Sequence, residues 1–310
     1  MRGQVYKSTG SWYQIKAENG EFYSCRIKGK FRMEGIKSTN PVAVGDWVQF
    51  ELEAQTDDVS GVIHDIEKRK NVIVRKSVNL SKQQHIIAAN IDTVFLLITL
   101  NNPETSTVFI DRFLVSTEAF DVNTVLVFNK IDTYDAQELV ALQELIAVYE
   151  KIGYTCLKLS AKVHSSCQEL IALMQNKTTS FAGHSGVGKS TLVNTIEPGL
   201  QLKTSEISTQ HLQGQHTTTF AQMHDLSFGG SIVDTPGIRG FGLVDIEKEE
   251  ISSFFPEFFE LKADCKFNNC LHVDEPKCAV LEAYASGEIA MSRYKSYLQI
   301  LEDDEALNYR

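Results

Sequence analysis

The sequence has no long apolar run: its most apolar stretch, Val94 to Leu100, is far shorter than the ~20 residues that a membrane-spanning helix needs. Its first residues also lack the apolar core of a signal peptide, so we expect a cytosolic protein. Cysteine is scarce, with six in 310 residues, which excludes a disulfide-stabilised scaffold. Only 19 residues are glycine and six are proline, so the chain is neither fibrous nor broadly disordered.

Positive charge is also in short supply, because 30 Lys and Arg face 40 Asp and Glu and give a formal net charge of −10. This balance excludes binding of nucleic acid by bulk charge but allows a local basic patch. Two basic clusters lie near the start of the chain: Arg26, Lys28, Lys30, Arg32 and Lys37, and then Lys68, Arg69, Lys70, Arg75 and Lys76. They are either solvated side chains or, since OB folds commonly bind nucleic acid on a strand face, an RNA-facing surface.

Short strands and turns account for the first 75 residues. Turn signals such as Asn19-Gly20 and Asn40-Pro41 separate five stretches of strand length. The predicted strands are Gly3–Lys7, Trp12–Ala17, Phe22–Ile27, Asp46–Glu53 and Gly61–Ile66. Five strands in this length predict a β-barrel of OB type over residues 1–75, with a generic small β domain as the alternative.

Apolar strands begin to alternate with helices near Ala88. Val94–Ile98 is a continuous apolar run, as expected of a strand buried on both faces. The other predicted strands are Val125–Phe128, Thr155–Leu159, Thr179–Ala182 and Ser231–Val233, and the helices are Val108–Ala119, Ala136–Lys151 (with Leu139, Leu142, Ile146 and Tyr149 on one apolar face), Gln168–Gln175 and one from Lys189. This alternation predicts an α/β domain with a parallel sheet over residues 76–242.

One segment in this domain matches the phosphate-loop pattern G-x-x-x-x-G-K-[ST] in full, after a predicted strand and before a predicted helix. Glycines let the backbone curl until its N–H groups face an anion, and the new helix adds its positive end. Lys189 would then reach the β- and γ-phosphates, and the Ser190 hydroxyl would bind Mg²⁺. The predicted phosphate-binding residues are Gly183, His184, Ser185, Gly186, Val187, Gly188, Lys189, Ser190 and Thr191.

Two segments that follow predicted strands indicate guanine. Asp132, in Asn129-Lys130-Ile131-Asp132, can accept hydrogen bonds from guanine N1–H and the 2-amino group, and adenine offers neither donor. Asn129 would tie this loop to the phosphate loop, and the stem of Lys130 would lie along the base. Ser160-Ala161-Lys162 would give a backbone N–H to guanine O6. Together with the phosphate loop, these segments predict binding of GTP and GDP.

A third segment, Asp234-Thr-Pro-Gly237, follows Ser231–Val233. Asp234 can hold Mg²⁺ through water, and the Gly237 N–H can sense the γ-phosphate. In most GTPases the phosphate loop comes before the guanine-binding segments, whereas here it comes after them, so the domain is circularly permuted. The chain ends of the permuted domain then fall beside Asp234, and we expect nucleotide state to move whatever follows residue 242.

The last predicted domain, residues 243–310, is helical and holds three of the six cysteines. Cys265, Cys270, His272 and Cys278 supply three thiolates and one imidazole, a closed ligand set for tetrahedral Zn²⁺ that leaves no position for a substrate water. The sequence therefore predicts one structural zinc site. Cys25, Cys156 and Cys167 are isolated, and we expect them to be small buried hydrophobes.

This combination resembles the RsgA family of circularly permuted, ribosome-small-subunit-dependent GTPases. The order NKxD, SAK, G-x-S-G-V-G-K-S, G-x-H-T-T-T, D-T-P-G, together with the N-terminal barrel and the C-x4-C-x-H-x5-C site, carries the resemblance over essentially the whole chain. It implies a GTPase that docks on the small (30S) subunit and its rRNA, acts in late assembly, is stimulated by the subunit and leaves on hydrolysis. One departure is His184, where the family often has a longer polar amide.

Slow intrinsic hydrolysis is expected, because Ile238 stands where many GTPases place the glutamine that orients the attacking water. By the resemblance, His216 would orient the water and Thr218 would complete the Mg²⁺ coordination. Spacing alone does not show which of Thr217, Thr218 and Thr219 would bind Mg²⁺. Two alternatives remain open: a nucleotide-sensing RNA-binding module with little hydrolysis, and an ATP-dependent phosphate-loop enzyme. We expect a monomer, with other maturation factors as further partners.

Overall fold

The computed structural model describes residues 1–27, 41–53, 60–76, 84–200, 221–234 and 246–308, without the side chains of 75–76, 84–85 and 303–308. The predicted catalytic residues His216 and Thr218, together with Gly237, Ile238 and most of the first basic cluster, lie outside these ranges. Among the described residues, no helix is both long and apolar enough to pass through a membrane.

The first five strands close a small barrel. They are β1 (Arg2–Ser8), β2 (Tyr13–Ala17), β3 (Phe22–Ile27), β4 (Trp47–Glu53) and β5 (Ser60–Ile66). Hydrogen bonds join them in the order β1-β2-β3-β5-β4, and β4 returns to β1. Alternate side chains point inward, so Val5, Ile15, Phe50 and Ile63 are fully buried in one core. The predicted five-stranded barrel is confirmed, with each strand within one residue of its expected bounds.

An antiparallel hairpin that the sequence pattern did not predict follows the barrel. Its strands are β6 (Val72–Lys76) and β7 (Gln84–Ala89). It contacts the barrel region at Val44, which bridges to Ala88 and accepts from the Ala89 N–H at 2.8 Å. Just before β6, the Arg69 guanidinium donates to the buried carboxylate of Asp46 at 2.7 Å.

The central domain is a parallel sheet with helices on both faces. Its strands are β8 (Thr93–Ile98), β9 (Thr124–Phe128), β10 (Thr155–Lys158), β11 (Thr178–Ala182), β12 (Gln222–Asp225) and β13 (Ser231–Asp234), and its helices are α1 (Thr107–Ala119), α2 (Ala136–Lys151), α3 (Gln168–Met174) and α4 (Lys189–Ile196). The strand order is β10-β9-β8-β11-β13-β12, and all neighbours are parallel except β12 with β13. The predicted parallel α/β domain is confirmed.

Successive residues of the central strands face opposite cores, which explains their continuous apolar character. Leu96 packs in the core with α1 and α2, whereas Phe95 packs in the core with α3 and α4. On α2, Leu142, Ile146 and Tyr149 are buried as predicted. Leu139 shares this face by its spacing but is 44% exposed, so the face is buried only from Leu142 onward.

Strand β1 joins the barrel to the central sheet. Its first residues pair with β4, and Lys7 near its end pairs with Gln222 of β12. Barrel and central sheet therefore form one continuous sheet of eleven strands. This junction was not expected from the sequence, because no local pattern encodes a pairing between segments more than 200 residues apart.

The C-terminal region is helical. After a 3₁₀ turn at Lys248–Phe254 come α5 (Pro256–Leu261), α6 (Ala279–Ala285) and α7 (Met291–Asn308). Phe255, Phe258 and Tyr297 form the centre of its core, and Val115 of α1 belongs to the same core. Tyr294, Tyr297 and Leu301 of α7 are buried in this core.

A buried charged cluster, here called the Arg293 cluster, lies where α7 meets the central domain. Arg293 donates to Asp111 of α1 at 2.6 Å and to Glu257 of α5 at 2.7 Å. Tyr149 of α2 donates to the same Asp111 at 2.8 Å. Arg293 is 1% exposed and Asp111 is fully buried, so the cluster joins four helices around a central ion pair that is shielded from water.

Candidate nucleotide and metal sites

The phosphate-loop segment connects β11 to α4, as the sequence predicts. Gly183 and Gly188 have φ values of 129° and 103°, which side-chain-bearing residues rarely adopt. Space is also restricted: a Cβ at Gly183 would lie 2.6 Å from Leu97 O, and one at Gly188 would lie 2.4 Å from Nδ2 of Asn129. The loop therefore curls tightly against the ends of β8 and β9, and both positions require glycine.

Lys189, the first residue of α4, lies folded into the loop. Its Nζ donates to the carbonyl of Gly183 at 2.8 Å and to that of His184 at 2.6 Å. The His184 ring stacks on Phe109 of α1 with centroids 3.8 Å apart. Burial, and secondly the nearby Lys189 charge, lower the pKa of His184, so its imidazole is neutral at pH 7.

The other loop positions leave room for an anion. Ser185 and Gly186 are exposed, and Ser190 and Thr191 are half-buried in the first turn of α4, while Val187 is buried in the core below. This is the arrangement of backbone N–H groups and a helix start that favours phosphate.

Asn129 connects the three predicted nucleotide segments. Its Nδ2 donates to the carbonyl of Val187 in the phosphate loop at 2.7 Å. Its Oδ1 accepts from the Ala161 N–H at 2.8 Å. Asn129 is 1% exposed, so these bonds form away from solvent. The predicted link between the Asn129 loop and the phosphate loop is therefore present in the structure.

The remaining predicted base-binding residues surround this link. Asp132 and Lys162 are exposed, whereas Ser160 is buried and its hydroxyl has no hydrogen-bond partner among the described residues. Ile131 donates its N–H to the Leu159 carbonyl at 3.4 Å. Lys130 has φ 65° and donates through Nζ to the Asn102 carbonyl.

Two supports of the site were not predicted from the sequence. The Tyr134 hydroxyl donates to the Asn129 carbonyl at 2.8 Å and accepts from the Leu100 N–H at 2.9 Å. The loop at residues 99–106, before α1, carries Asn102 against Lys130 and lies beside the phosphate loop, since a Cβ at Gly186 would be 3.4 Å from Pro103 Cδ. A tyrosine two residues beyond an NKxD segment is the only sequence signal for the first support.

Asp234 ends β13 at the same edge of the sheet. β13 is parallel to β11, and the Ser180 hydroxyl donates to the Val233 carbonyl at 3.0 Å. Because the carboxyl ends of neighbouring parallel strands meet at one edge, Asp234 follows its strand where the phosphate loop follows β11. The structure thus brings the Asn129, Ser160, Gly183 and Asp234 segments to one sheet edge.

The four predicted zinc ligands lie together. Cys265, Cys270, His272 and Cys278 are all buried, and their ligand atoms lie within 4.8 Å of one another. Cys265 Sγ lies 3.8 Å from Cys278 Sγ and 3.6 Å from His272 Nδ1. Tetrahedral Zn²⁺ bonds imply separations of roughly 3.8 Å between two sulfurs and roughly 3.5 Å between sulfur and nitrogen. Both the chemistry and the spacing of the donors fit zinc.

Groups outside the ligand set shape this loop. The Glu275 carboxylate accepts from the N–H groups of Leu271 at 2.6 Å and Val273 at 2.9 Å, on either side of His272. Tyr294 of α7 donates to the His272 carbonyl at 2.9 Å. Burial raises the pKa of the Cys270 thiol to about 12, so a thiolate there needs a cation. Glu275 was not predicted as part of the site.

The remaining cysteines are unrelated to this site. Cys25 and Cys167 are buried, as predicted, and Cys156 is partly buried. Burial raises the pKa of the Cys25 thiol to about 12, so it is an inert thiol.

Two protein families match the sequence. The family described as RsgA GTPase matches residues 66–244, and the RsgA N-terminal domain matches residues 2–63. A protein of Christiangramia forsetii named small ribosomal subunit biogenesis GTPase RsgA is 63% identical over 310 residues, which cover 100% of this chain and 98% of that protein. A Bacteroides thetaiotaomicron protein, small ribosomal subunit biogenesis GTPase RsgA 2, is 54% identical over 100% of this chain and 99% of its own length.

Two crystal structures have the same fold. YjeQ from Thermotoga maritima aligns with a TM-score of 0.79 and 38% identity, covering 97% of each chain. YloQ, described as a circularly permuted GTPase, aligns with a TM-score of 0.76 and 31% identity, covering 98% of this chain and 95% of its own. The permuted order predicted from the motifs is therefore confirmed.

Proposed function

Because the chain belongs to the RsgA GTPase family and is therefore a GTPase, we propose that it binds the small ribosomal subunit and hydrolyses GTP during late assembly of that subunit. The observation that carries this proposal is the full-length similarity, at 63% identity, to a small ribosomal subunit biogenesis GTPase. Docking on the subunit stimulates hydrolysis to GDP and phosphate, and hydrolysis then triggers release.

The positions of several described residues support GTP binding at this site. The Asp132 carboxylate accepts from guanine, and its exposure keeps it accessible to a base. The Ala161 N–H already donates to Asn129, so the donor to guanine O6 is the next N–H, that of Lys162. When GTP binds, Nζ of Lys189 releases the carbonyls of Gly183 and His184 and donates to phosphate oxygens, which are stronger acceptors for an ammonium group.

Mg²⁺ neutralises charge on the β- and γ-phosphates when bound. Ser190, in the first turn of α4, and Asp234, at the end of β13, are the described residues that would hold it, Asp234 through water. Their chemistry fits, because a hydroxyl and a carboxylate are hard oxygen donors. Thr218 would complete the coordination, His216 would orient the attacking water, and the Gly237 N–H would contact the γ-phosphate.

The zinc site has a structural role. Four protein ligands leave no open coordination position, so one Zn²⁺ would crosslink residues 265–278. The Phe258 ring packs edge-on against His272, with centroids 6.0 Å apart, so the ion would also fix the core of the C-terminal region.

Regions outside the nucleotide site would contact the small ribosomal subunit. The barrel and its basic clusters would face rRNA, apart from Arg69, which is bound to Asp46. The zinc-bearing region would form the second contact, and the protein would act as a monomer in the cytoplasm. Other maturation factors on the same particle are further partners.

GTP turnover by the purified protein tests this proposal. We expect slow turnover alone, a strong increase with isolated small subunits and none with large subunits. Ser190→Ala should reduce stimulated turnover by at least about tenfold, which is ~1.4 kcal/mol of transition-state stabilisation. Ser227→Ala is the matched control, because this exposed serine lies in the turn between β12 and β13, at the opposite end of β13 from Asp234. Equal turnover with and without small subunits would remove the ribosome from the proposal.

A further inference from the structure

The barrel and the nucleotide-binding sheet meet through one row of paired residues. Lys7 of β1 pairs with Gln222 of β12, and Gln222 pairs in turn with Asp234 of β13. The residue proposed to hold Mg²⁺ is thus two strand spacings, roughly 10 Å, from the barrel. Among the described strands, β12 alone lies between β13 and the barrel in the sheet, so a shift of β1 along the sheet acts on β12.

A second set of contacts fixes β12 to the barrel. The two carboxylate oxygens of Asp225, at the far end of β12, have different barrel partners. Oδ1 accepts from the Tyr6 hydroxyl at 2.6 Å, and Oδ2 accepts from Lys16 Nζ at 2.6 Å. Tyr6 is 8% exposed and packs edge-on against Phe22, while Lys16 lies within 6 Å of both rings. These contacts hold β12 at both of its ends, Gln222 by main-chain pairing and Asp225 by its side chain.

The ion pair between Lys16 and Asp225 adds little to the stability of the barrel. The Lys16–Asp225 pair is substantially exposed, and exposed pairs contribute little to folding. The barrel contains a similar exposed ion pair, Arg26–Glu53 at 2.8 Å, which closes on the barrel itself. Asp225 differs from Glu53 because its two partners, Tyr6 and Lys16, belong to the barrel, whereas Asp225 itself belongs to β12 of the central sheet.

We propose that Asp225 is a positioning residue that fixes the register of β12 between the barrel and Asp234, and so transmits docking of the barrel to the hydrolytic site. The inference rests on the proposed function, in which the small subunit binds the barrel and stimulates GTP hydrolysis. Docking then changes turnover through β12, since β12 and β13 are paired along their whole length from Gln222 to Asp225. Without the Asp225 contacts the barrel still binds the small subunit, but a displacement of the barrel no longer moves β12.

The test compares Asp225→Ala and Tyr6→Phe with Glu53→Gln, the control that removes an exposed carboxylate within the barrel. Three quantities are measured: GTP turnover of the protein alone, turnover with saturating small subunits, and cosedimentation with small subunits in a non-hydrolysable GTP analogue. We expect the two junction variants to keep intrinsic turnover and cosedimentation within twofold. Their stimulation should fall by at least about fivefold, the lower end of typical coupling between sites. Glu53→Gln should be stimulated like the unaltered protein.

Exchanging the charges of Asp225 and Lys16 distinguishes a positioning role of Asp225 from a general folding defect of its variants. Asp225→Lys alone should lose stimulation, and Asp225→Lys with Lys16→Asp should regain part of it, because the exchange restores an attractive pair across the junction but not the Tyr6 bond to Asp225. Full stimulation of Asp225→Ala would overturn the inference, as would a loss of stimulation explained entirely by weaker cosedimentation. If the unaltered protein is neither bound nor stimulated by small subunits, the proposed function itself fails, and the inference fails with it.

Discussion

Gly188 is required by a contact as well as by its backbone angle. Its φ is 103°, and a Cβ there would meet Nδ2 of Asn129, the amide that joins the predicted nucleotide segments. Gly20, in a barrel turn, has a similar φ of 85° but open space around the Cβ position. Comparing substitutions at the two glycines therefore distinguishes the effect of backbone strain from the effect of lost space at the nucleotide site.

Gly188→Ala should weaken GTP binding by at least about tenfold, which is ~1.4 kcal/mol, because Asn129 must move and release the Val187 carbonyl. Gly20→Ala should bind GTP normally and lose only about 1 kcal/mol of stability through strain. Calorimetric titration with GTP and urea unfolding measure the two effects. Equal GTP affinities for the two variants would contradict the assignment of the loop.

Residues whose role depends on a local pattern could be predicted, and residues whose partners are main-chain atoms could not. The phosphate loop was predictable because one short motif encodes both its backbone angles and its lysine. Tyr134 and Glu275 act on the Asn129 carbonyl and the Leu271 N–H, and only the folded chain shows which backbone groups lie beside them. His216 and Thr218 stay predictions.

At the scale of elements, the Arg293 cluster decides how α7 sits on α1 and α2. Burying a charge is unfavourable unless it is paired, and here the guanidinium of Arg293 has carboxylate partners on two other helices. Removing Arg293 would leave Asp111, which is fully buried, without its cation. Lys151 of α2 makes a different contact at the same junction, an exposed bond to the Glu288 carbonyl at 2.6 Å.

Arg293→Ala should lower the free energy of unfolding by about 3–5 kcal/mol, the usual result of breaking a buried pair. Lys151→Ala should lower it by less than about 1 kcal/mol, because its bond is open to water. Urea unfolding followed by circular dichroism measures both. A loss at Arg293 no larger than that at Lys151 would mean that the cluster is not buried in solution.

Elements with a clear apolar pattern could be predicted from the sequence, and weakly apolar elements could not. β8 could be predicted because Val94–Ile98 is a continuous apolar run, and in the structure all six residues of β8 are buried. β12, Gln-Met-His-Asp, has only one buried residue and is held by its neighbours β1 and β13. A strand stabilised by its partners carries no signal of its own. Similarly, the exposure of Leu139 reflects how α2 packs, which its heptad spacing does not specify.

At the scale of the whole molecule, the zinc site and the central domain share one core. His272 contacts Phe258, and Phe258 packs in the same core as Val115 of α1. The stability of the central domain should therefore respond to the ion, although no ligand comes from that domain.

We expect one zinc per chain, and its removal by a chelator should lower the midpoint of thermal unfolding for the whole protein, with recovery when zinc is added back. Cys265→Ser should lose the metal, whereas Cys156→Ser should keep it because that thiol is remote from the ligand set. Elemental analysis and thermal scans give the two readouts. Stoichiometric zinc in Cys265→Ser would disprove the ligand assignment.

The pairing of Lys7 with Gln222 also has a consequence for synthesis of the chain. At about 5–20 residues per second, the strand partner of Lys7 emerges on the order of ten to forty seconds after Lys7 itself. During that time the barrel can close on β4, but the outer half of β1 remains an unpaired edge, which is prone to pairing with other chains. The barrel and the central sheet are thus joined through β12 only once Gln222 has emerged, and a nascent chain that stalls before residue 222 exposes the edge that the finished protein covers.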